Sequence, residues 1–119
     1  MYEEDKEMDE LVSLLMRLNL KRPVASTLIC MMDGKEYSSH EIERMSGLRQ
    51  PEVSVSMKYL LGKKWITQRE VKKVNEKGRP VKRYKLKISM DDIITSIEKS
   101  ILEENQKTLD SIKELKEFA

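Results

Sequence analysis

The sequence has little of several residue types on which function often depends. Its 119 residues include one cysteine, one histidine and one tryptophan. A single cysteine cannot form an internal disulfide, and one cysteine with one histidine cannot supply the three or four ligands of a zinc site. Cys30 lies in an apolar run at 28–32, which predicts a buried thiol. His40 lies beside a predicted helix start and is expected at the surface. We therefore expect no metal site and no cofactor.

Features of enzymes and of membrane proteins are also missing. No Ser–His–Asp set and no Cys–His pair comes with a supporting motif, so we do not expect an enzyme. No run of about 18 apolar residues is present, which predicts that no helix crosses a membrane. The first seven residues carry four acids and one base, whereas a signal peptide begins basic and then turns apolar. The expected location is the cytoplasm, with no membrane partner.

Length and composition predict one small, highly charged domain. Hydrophobic residues make up 39% of the chain and charged residues 37%. A chain of this length can bury a single hydrophobic core with little to spare. We expect a single domain over residues 1–119, composed of an N-terminal helix at 1–21, a core at 22–88 and a C-terminal helix at 89–119.

The formal net charge of +2 conceals a strong segregation of charge. Residues 49–87 carry thirteen bases and three acids, a net charge of +10, whereas 1–19 and 88–119 each carry −4. A basic block of this kind produces a local electropositive field and predicts a polyanionic partner. A solvated, lysine-rich surface is the alternative explanation.

Helical periodicity and end signals predict the first three helices. The first is expected from about Glu4 or Asp5 to Asn19 and the second over about 23–32, where Asp33-Gly34 ends it. The third begins at Ser38, because Ser38 and Glu41 match a capping box. Ile42 and Met45 are expected to face inward, and Gly47 suits the left-handed residue that ends a helix.

The fourth helix, expected over about 51–61, follows the tight turn at Gly47, and this arrangement is a helix-turn-helix. Val53, Met57, Leu60 and Leu61 recur at a spacing that predicts a core-facing side. The other side carries small polar residues and a lysine, which can approach a major groove: Gln pairs with adenine, and Val contacts a thymine methyl. An ordinary solvated helix surface is the alternative. The expected DNA-contacting residues are Arg49, Gln50, Pro51, Ser54, Val55, Ser56 and Lys58.

Residues 65–74 and 81–88 are rich in β-formers and flank a turn-like segment, which predicts a β-hairpin. In the second run, Tyr84, Leu86 and Ile88 alternate with basic residues. A basic hairpin after a helix-turn-helix is a wing, whose cations contact the sugar-phosphate backbone or a minor groove and position the protein. The expected contacts are Lys63, Lys64, Lys72, Lys73, Lys77, Arg79, Lys82 and Arg83.

The last helix is expected from about 89 to 117, because the segment contains no Gly or Pro. Its length would be about 42 Å. From Ile101 the seam residues follow at spacings of 4, 3, 4 and 3, as in a short coiled coil. A helix that only packs on its own domain is the alternative, but the pattern favours a homodimer. The expected dimerisation residues are Ile94, Ile97, Ile101, Asn105, Thr108, Ile112 and Leu115.

The run Leu-Arg-Gln-Pro-Glu-Val-Ser-Val-Ser-Met-Lys-Tyr-Leu at 48–60 resembles the recognition-helix signature of ArsR-like and related archaeal winged-helix transcriptional regulators, Leu-x-Gln-Pro-x-Val-Ser-x-His-Leu-x-x-Leu. The Lys-Gly-Arg-Pro and Tyr-Lys-Leu stretches resemble the wing of that group, and the resemblance covers about 22–88. It implies DNA contacts from Gln50, Pro51, Ser54, Ser56 and Lys58, and wing contacts around Lys77 and Arg79.

Two departures from that group limit what the resemblance implies. Ser56 occupies a position at which many members have His, so a base preference does not transfer. The paired cysteines of metal-sensing members are missing, so metal-controlled release of DNA is not expected, and no small-molecule effector site is recognisable.

These patterns together predict a winged helix-turn-helix of the α+β class, mainly α with a small β-hairpin and with long terminal helices for dimerisation. The function that they favour is a homodimeric, sequence-specific regulator of transcription that binds double-stranded DNA. Two alternatives remain open. The first is a winged-helix module that binds proteins within a transcription or chromosome-associated complex. The second is a non-specific chromatin or RNA-binding protein.

Overall fold

The chain adopts the winged helix-turn-helix architecture that its sequence predicts. The structure, a computed structural model, describes residues 2–72 and 79–119. The chain divides into two compact units, Met1–Ser89 and Met90–Ala119. The first unit contains α1 (Tyr2–Arg17), α2 (Arg22–Cys30), β1 (Tyr37–Ser38), α3 (Ser39–Ser46), α4 (Gln50–Gly62), β2 (Ile66–Val71) and β3 (Val81–Leu86), and the second contains α5 (Met90–Phe118).

The core of the first unit is apolar and is built from its helices and its sheet. Leu28 in α2, Ile42 in α3 and both Val53 and Leu60 in α4 are completely buried. Cys30 is also buried, as expected, and burial raises the pKa of its thiol. This core holds α4 in place by one side only, so the opposite side of α4 is free to face outward.

The ends of α3 match their sequence signals. The Ser38 hydroxyl accepts a hydrogen bond from the Glu41 amide at 3.2 Å, and the Glu41 carboxylate accepts one from the Ser38 amide at 3.0 Å. Gly47 adopts a left-handed φ of 75°. The expectation for Met45 is wrong, since its side chain is 47% exposed. The helix has only eight residues and buries a single side chain, that of Ile42.

A third strand, β1, completes the sheet and was not predicted. The strand order is β1-β3-β2, with both pairings antiparallel. Tyr37 lies opposite Tyr84, and β1 has only two residues. So short a strand cannot show the period-two alternation by which strands are recognised in a sequence.

The register of β2 and β3 defines two faces of the hairpin, because alternate residues of a strand point to opposite sides. One face, which we call the inner face, carries Ile66, Gln68, Glu70, Lys82, Tyr84 and Leu86. The outer face carries Thr67, Arg69, Val71, Val81, Arg83 and Lys85. Strand β3 ends at Leu86, two residues before the predicted limit.

The turn after α4 places a lysine in a backbone conformation that favours glycine. Lys64 has a φ of 63°, its amide donates to Leu61 O at 3.0 Å, and the Trp65 amide donates to Leu60 O at 3.2 Å. Most helices that end in this way have glycine at the left-handed position, because a Cβ there is strained. Lys64 therefore carries a local conformational cost.

We expect the free energy of unfolding of the Lys64→Gly variant to exceed that of the wild type by about 1 kcal/mol, because glycine relieves this strain. Urea denaturation followed by circular dichroism measures the change. Lys64→Ala is the matched control, since it removes the same charge but keeps the Cβ. Equal stability of the glycine and alanine variants would contradict this explanation.

The second unit is a single helix, α5, of 29 residues. It contains no Gly or Pro, and Asp91 and Asp92 occupy its first turn, where negative charge favours a helix N-terminus. Ile93 and Ile97 are buried. The prediction that Ile97 takes part in dimerisation is therefore wrong, because its side chain is only 7% exposed and is not available to a second copy. Beyond it, large apolar side chains lie exposed at Leu102, Leu109, Ile112, Leu115 and Phe118.

Candidate nucleic-acid interface

The exposed side of α4 carries most of the residues that were predicted to contact DNA. Gln50, Pro51, Ser54, Val55 and Lys58 are exposed on it, and Arg49 is exposed just before it. Val55 is 66% exposed, so its methyl groups can reach a partner. We call the five exposed residues of α4 the reading surface: Gln50, Pro51, Ser54, Val55 and Lys58.

Acidic charge is kept away from the reading surface. Glu52 is the acidic residue of α4, and its carboxylate accepts a hydrogen bond from the Arg49 amide at 3.0 Å. This contact turns the carboxylate back to the helix N-terminus, where it satisfies a free amide. The exposed side chains that α4 offers to a partner are therefore neutral or basic.

Ser56 does not belong to the reading surface, and the prediction that it contacts DNA is wrong. Its side chain is fully buried, and its hydroxyl donates to Glu52 O at 2.7 Å. The sequence contained the signal, because Ser56 lies three residues after Val53 and four before Leu60. That spacing places it on the core side of the helix.

Lys63 and the aromatic side chains near it form a small cluster at the end of α4. The Lys63 ammonium lies 5.6 Å from the centre of the Tyr59 ring, and the Tyr59 and Trp65 rings meet edge to face at 6.3 Å. Trp65 is buried, whereas Tyr59 is 39% exposed. The cation–π contact holds one predicted phosphate-binding lysine near the surface of the helix end.

The arginines on the outer face of the hairpin are paired with acids of the same chain. Arg69 donates twice to the Glu36 carboxylate, at 2.6 and 2.7 Å, and Arg83 lies 3.4 Å from Glu41. Arg69 and Arg83 are opposite each other in the register. Each acid therefore offsets a repulsion between two like charges across the strands.

These pairs also shift the titration of the groups involved. The hydrogen bond from Arg69 lowers the pKa of the Glu36 carboxyl, and that of Arg69 is raised in turn. The Ser38 amide, with Arg83 nearby, lowers the pKa of Glu41. Both carboxylates therefore stay ionised down to a lower pH than usual, and Arg83, a predicted DNA contact, is partly neutralised within its own chain.

A groove of about 290 Å³ separates α4 from the inner face of the hairpin. Three reading-surface residues, Gln50, Ser54 and Lys58, line one wall, and Lys82 lies in the other. Neither lysine has an acidic partner in the described parts of the chain, residues 2–72 and 79–119. The fold thus brings predicted DNA-contacting residues of α4 and a predicted DNA-contacting residue of the wing together around one concave surface.

Five further residues of this groove were not predicted as site residues, and two of them, Met57 and Leu61, are apolar residues of α4. Ser39 comes from the first turn of α3, and Gln68 and Tyr84 come from the inner face of the hairpin. Tyr84 was predicted only as a buried residue. Their position in the groove depends on the register of the sheet and on the docking of α4, and neither follows from a local sequence pattern.

The remaining predicted wing and backbone contacts are five residues, of which the structure describes three. Lys64, Lys72 and Arg79 are exposed. Lys73 and Lys77 lie outside the described residues.

Among the residues that are described, no three His, Cys, Asp or Glu side chains gather as metal ligands would, and no helix is long and apolar enough to cross a bilayer.

Comparisons with known proteins identify the fold. No family model matches the chain, and no curated protein matches it either. Its structure is similar to TrmBL2, described as an archaeal chromatin protein with a novel mode of DNA binding, at a TM-score of 0.74 and 16% identity over 92% of this chain. The present chain spans 39% of that protein's length.

A possible transcriptional regulator from Methanosarcina mazei Go1 is also similar, with a TM-score of 0.66 and 17% identity over 92% of this chain and 86% of the other. Sequence identities this low establish a shared fold and nothing finer. The fold shared with both proteins is the winged helix.

Proposed function

We propose that this protein is a homodimeric, sequence-specific transcriptional regulator that binds double-stranded DNA. One observation carries the proposal. The exposed side of α4 has hydrogen-bonding, apolar and basic side chains, its acidic residue is turned aside, and the basic hairpin lies next to it. This composition suits entry into a major groove, whose floor offers donors, acceptors and thymine methyls.

The residues divide into two roles in this proposal. Gln50, Ser54 and Val55 contact base edges and determine which sequence is bound. Arg49, Lys58, Lys63, Lys64, Lys72, Lys73, Lys77, Arg79 and Lys82 contact phosphates, which supplies affinity and position. Ser56 has no direct role, and Arg83 contributes less than the other cations because it is paired with Glu41.

The proteins of similar fold support a role in binding DNA. One is described as an archaeal chromatin protein with a novel mode of DNA binding and the other as a possible transcriptional regulator. Neither description names an enzyme, which favours a non-enzymatic role for this chain. A DNA partner is compatible with the cytoplasmic location that the sequence predicts. The motif at 48–60 further supports a relationship to the ArsR-like group.

Dimerisation through α5 supplies the second reading helix. Ile94, Ile112 and Leu115 are 45%, 45% and 70% exposed in the single chain. Together with Ile101, Asn105 and Thr108 they form a stripe that a second copy can cover. A two-fold dimer places two copies of α4 in successive major grooves, about 34–36 Å apart, on an inverted-repeat operator.

Selection from a pool of random duplexes tests this function. We expect the purified protein to enrich an inverted repeat whose half-sites are one helical turn apart, because each α4 reads one half-site. Sequencing of the bound fraction measures the enrichment. The Gln50→Ala and Ser54→Ala variants should select a more degenerate motif, whereas Arg79→Ala should retain the motif and bind every duplex more weakly. Equal effects of all three changes would contradict these roles.

A non-specific chromatin protein is the second candidate, and the fold similarity to an archaeal chromatin protein favours it. Affinity would then come from phosphate contacts alone and would not depend on sequence. The same selection distinguishes the two candidates, since binding without any enriched motif identifies a non-specific protein. If the purified protein binds no duplex at all, a role in protein–protein interaction is the remaining explanation.

A further inference from the structure

We propose that the groove between α4 and the inner face of the hairpin holds one phosphodiester of the DNA backbone, which Lys58 and Lys82 contact together. The proposal rests on the DNA-binding function above and adds to it the position of a single backbone phosphate. It also gives a role to Gln68 and Ser39, two groove residues that are not part of the function proposed above.

The geometry of duplex DNA suggests what must lie in this groove. If α4 occupies a major groove and the hairpin contacts the neighbouring minor groove, the strand that separates these two grooves passes between the two protein elements. The space between them is the groove that Lys58 and Lys82 line from opposite walls. A backbone phosphate, rather than a base, is therefore the group that meets both walls.

The lining of the groove has the chemistry of a phosphate site. Lys58 and Lys82 supply positive charge, and Gln50, Gln68, Ser39 and Ser54 supply hydrogen-bond donors. None of the Asp and Glu residues that the structure describes lines it. Glu70 lies opposite Lys82 in the strand register, but it forms no ion pair with Lys82 within the described residues. Both ammonium groups are thus available to an anion.

The outer face of the same hairpin is unlike the groove. Its arginines, Arg69 and Arg83, are engaged with Glu36 and Glu41, and Arg69 binds its acid through two hydrogen bonds. An anion that approached this face would have to displace a carboxylate of the chain. The two arginines of this face are therefore already engaged, and Lys85 is its remaining cation, whereas Lys82 on the inner face has no acid partner among the described residues and lies beside α4.

The salt dependence of DNA affinity tests whether the two lysines share one phosphate. Each phosphate that a protein neutralises contributes about 0.9 to the slope of log affinity against log salt concentration. If Lys58 and Lys82 contact the same phosphate, either lysine still neutralises it when the other is lost. We expect Lys58→Gln and Lys82→Gln each to change the slope by much less than about 0.9, and the double variant to lower it by about 0.9.

Fluorescence anisotropy with a labelled duplex of about 20 base pairs, at several salt concentrations, gives these slopes. Lys85→Gln is the matched control, because Lys85 lies on the outer face of the same strand. Lys85→Gln should change the slope only a little. In the double variant of Lys58→Gln and Lys85→Gln, the two changes in slope should simply add. Gln68→Ala should weaken binding by about ten- to hundredfold, the value of one hydrogen bond to a charged group.

The alternative outcomes separate this proposal from the function on which it rests. Slope losses of about 0.9 for each single lysine variant and twice that for the double variant would place the lysines on different phosphates and overturn the shared site. Unchanged slopes in all variants would overturn it as well. In both cases duplex binding persists and the proposed function stands. A wild-type protein that binds no duplex would overturn both.

A competition arm identifies the source of the phosphate. Deoxyadenosine monophosphate, a free phosphate monoester, should not displace the duplex at millimolar concentration, because one phosphate in an open groove lacks the neighbouring backbone contacts. Displacement that Lys58→Gln or Lys82→Gln abolishes would show that the groove binds free nucleotides instead, and would overturn the assignment to the DNA backbone.

Discussion

The Ser54→Glu variant is expected to lose at least about 100-fold in affinity for duplex DNA. Ser54 lies on the exposed side of α4 and lines the groove beside Lys58. A carboxylate there would face base edges and phosphates in a partly dehydrated interface, where like-charge contacts cost several kcal/mol. The chain should fold normally, because the substituted side chain is exposed and glutamate favours a helix. Anisotropy at fixed salt measures affinity, and circular dichroism verifies the fold.

Thr67→Glu is the matched control for this prediction. It introduces the same charge at an exposed position, but on the outer face of the hairpin and away from α4. Its effect should be limited to the long-range loss of one positive unit of net charge, which salt screens. Equal losses of affinity for Ser54→Glu and Thr67→Glu would mean that affinity follows the total charge alone and that α4 does not enter the major groove of DNA.

The second large effect is expected from Ile112→Glu in α5. Ile112 lies in the middle of the exposed apolar stripe and is 45% exposed in the single chain. In a two-fold dimer each substitution occurs twice, so two carboxylates would have to be buried at one interface. We expect the dimer to dissociate into monomers. Affinity for an operator with two half-sites should fall by about 100-fold or more, because the second contact is no longer intramolecular.

Sedimentation equilibrium measures the mass, and anisotropy with operators of one and two half-sites measures affinity. Gln106→Glu is the control, since it adds the same charge at an exposed position of the same helix that lies outside the stripe and does not flank it. It should remain a dimer. A wild-type protein that is monomeric at micromolar concentration, or an Ile112→Glu variant that stays dimeric, would contradict dimerisation through this helix.

Local signals explain why much of the fold was predictable. The capping box at Ser38 and Glu41 and the glycine at 47 set the limits of α3 through hydrogen bonds between near neighbours. The apolar spacing of Val53, Met57 and Leu60 set the buried side of α4. Each of these patterns involves residues within one or two helical turns of each other, so its effect on local structure depends little on distant parts of the chain.

The errors arose where a residue's environment depends on distant segments. Met45 has an inward-compatible spacing, but the described segments leave its side chain 47% exposed. Strand β1 exists because Tyr37 pairs with Tyr84, 47 positions away. Ser56 differs from these cases, because its buried position follows from local spacing: it lies three residues after Val53 and four before Leu60 on the core side of α4.

By itself the sequence determined the order of helices and hairpin, the concentration of positive charge at 49–87 and the apolar stripe of the last helix. These properties depend on composition and on short-range spacing. Only the tertiary structure decided which cations are free. It pairs Arg69 and Arg83 with Glu36 and Glu41, and it leaves Lys58 and Lys82 together on one groove. Ion pairs and grooves form between segments far apart in the chain, so they depend on register and packing that no local pattern encodes.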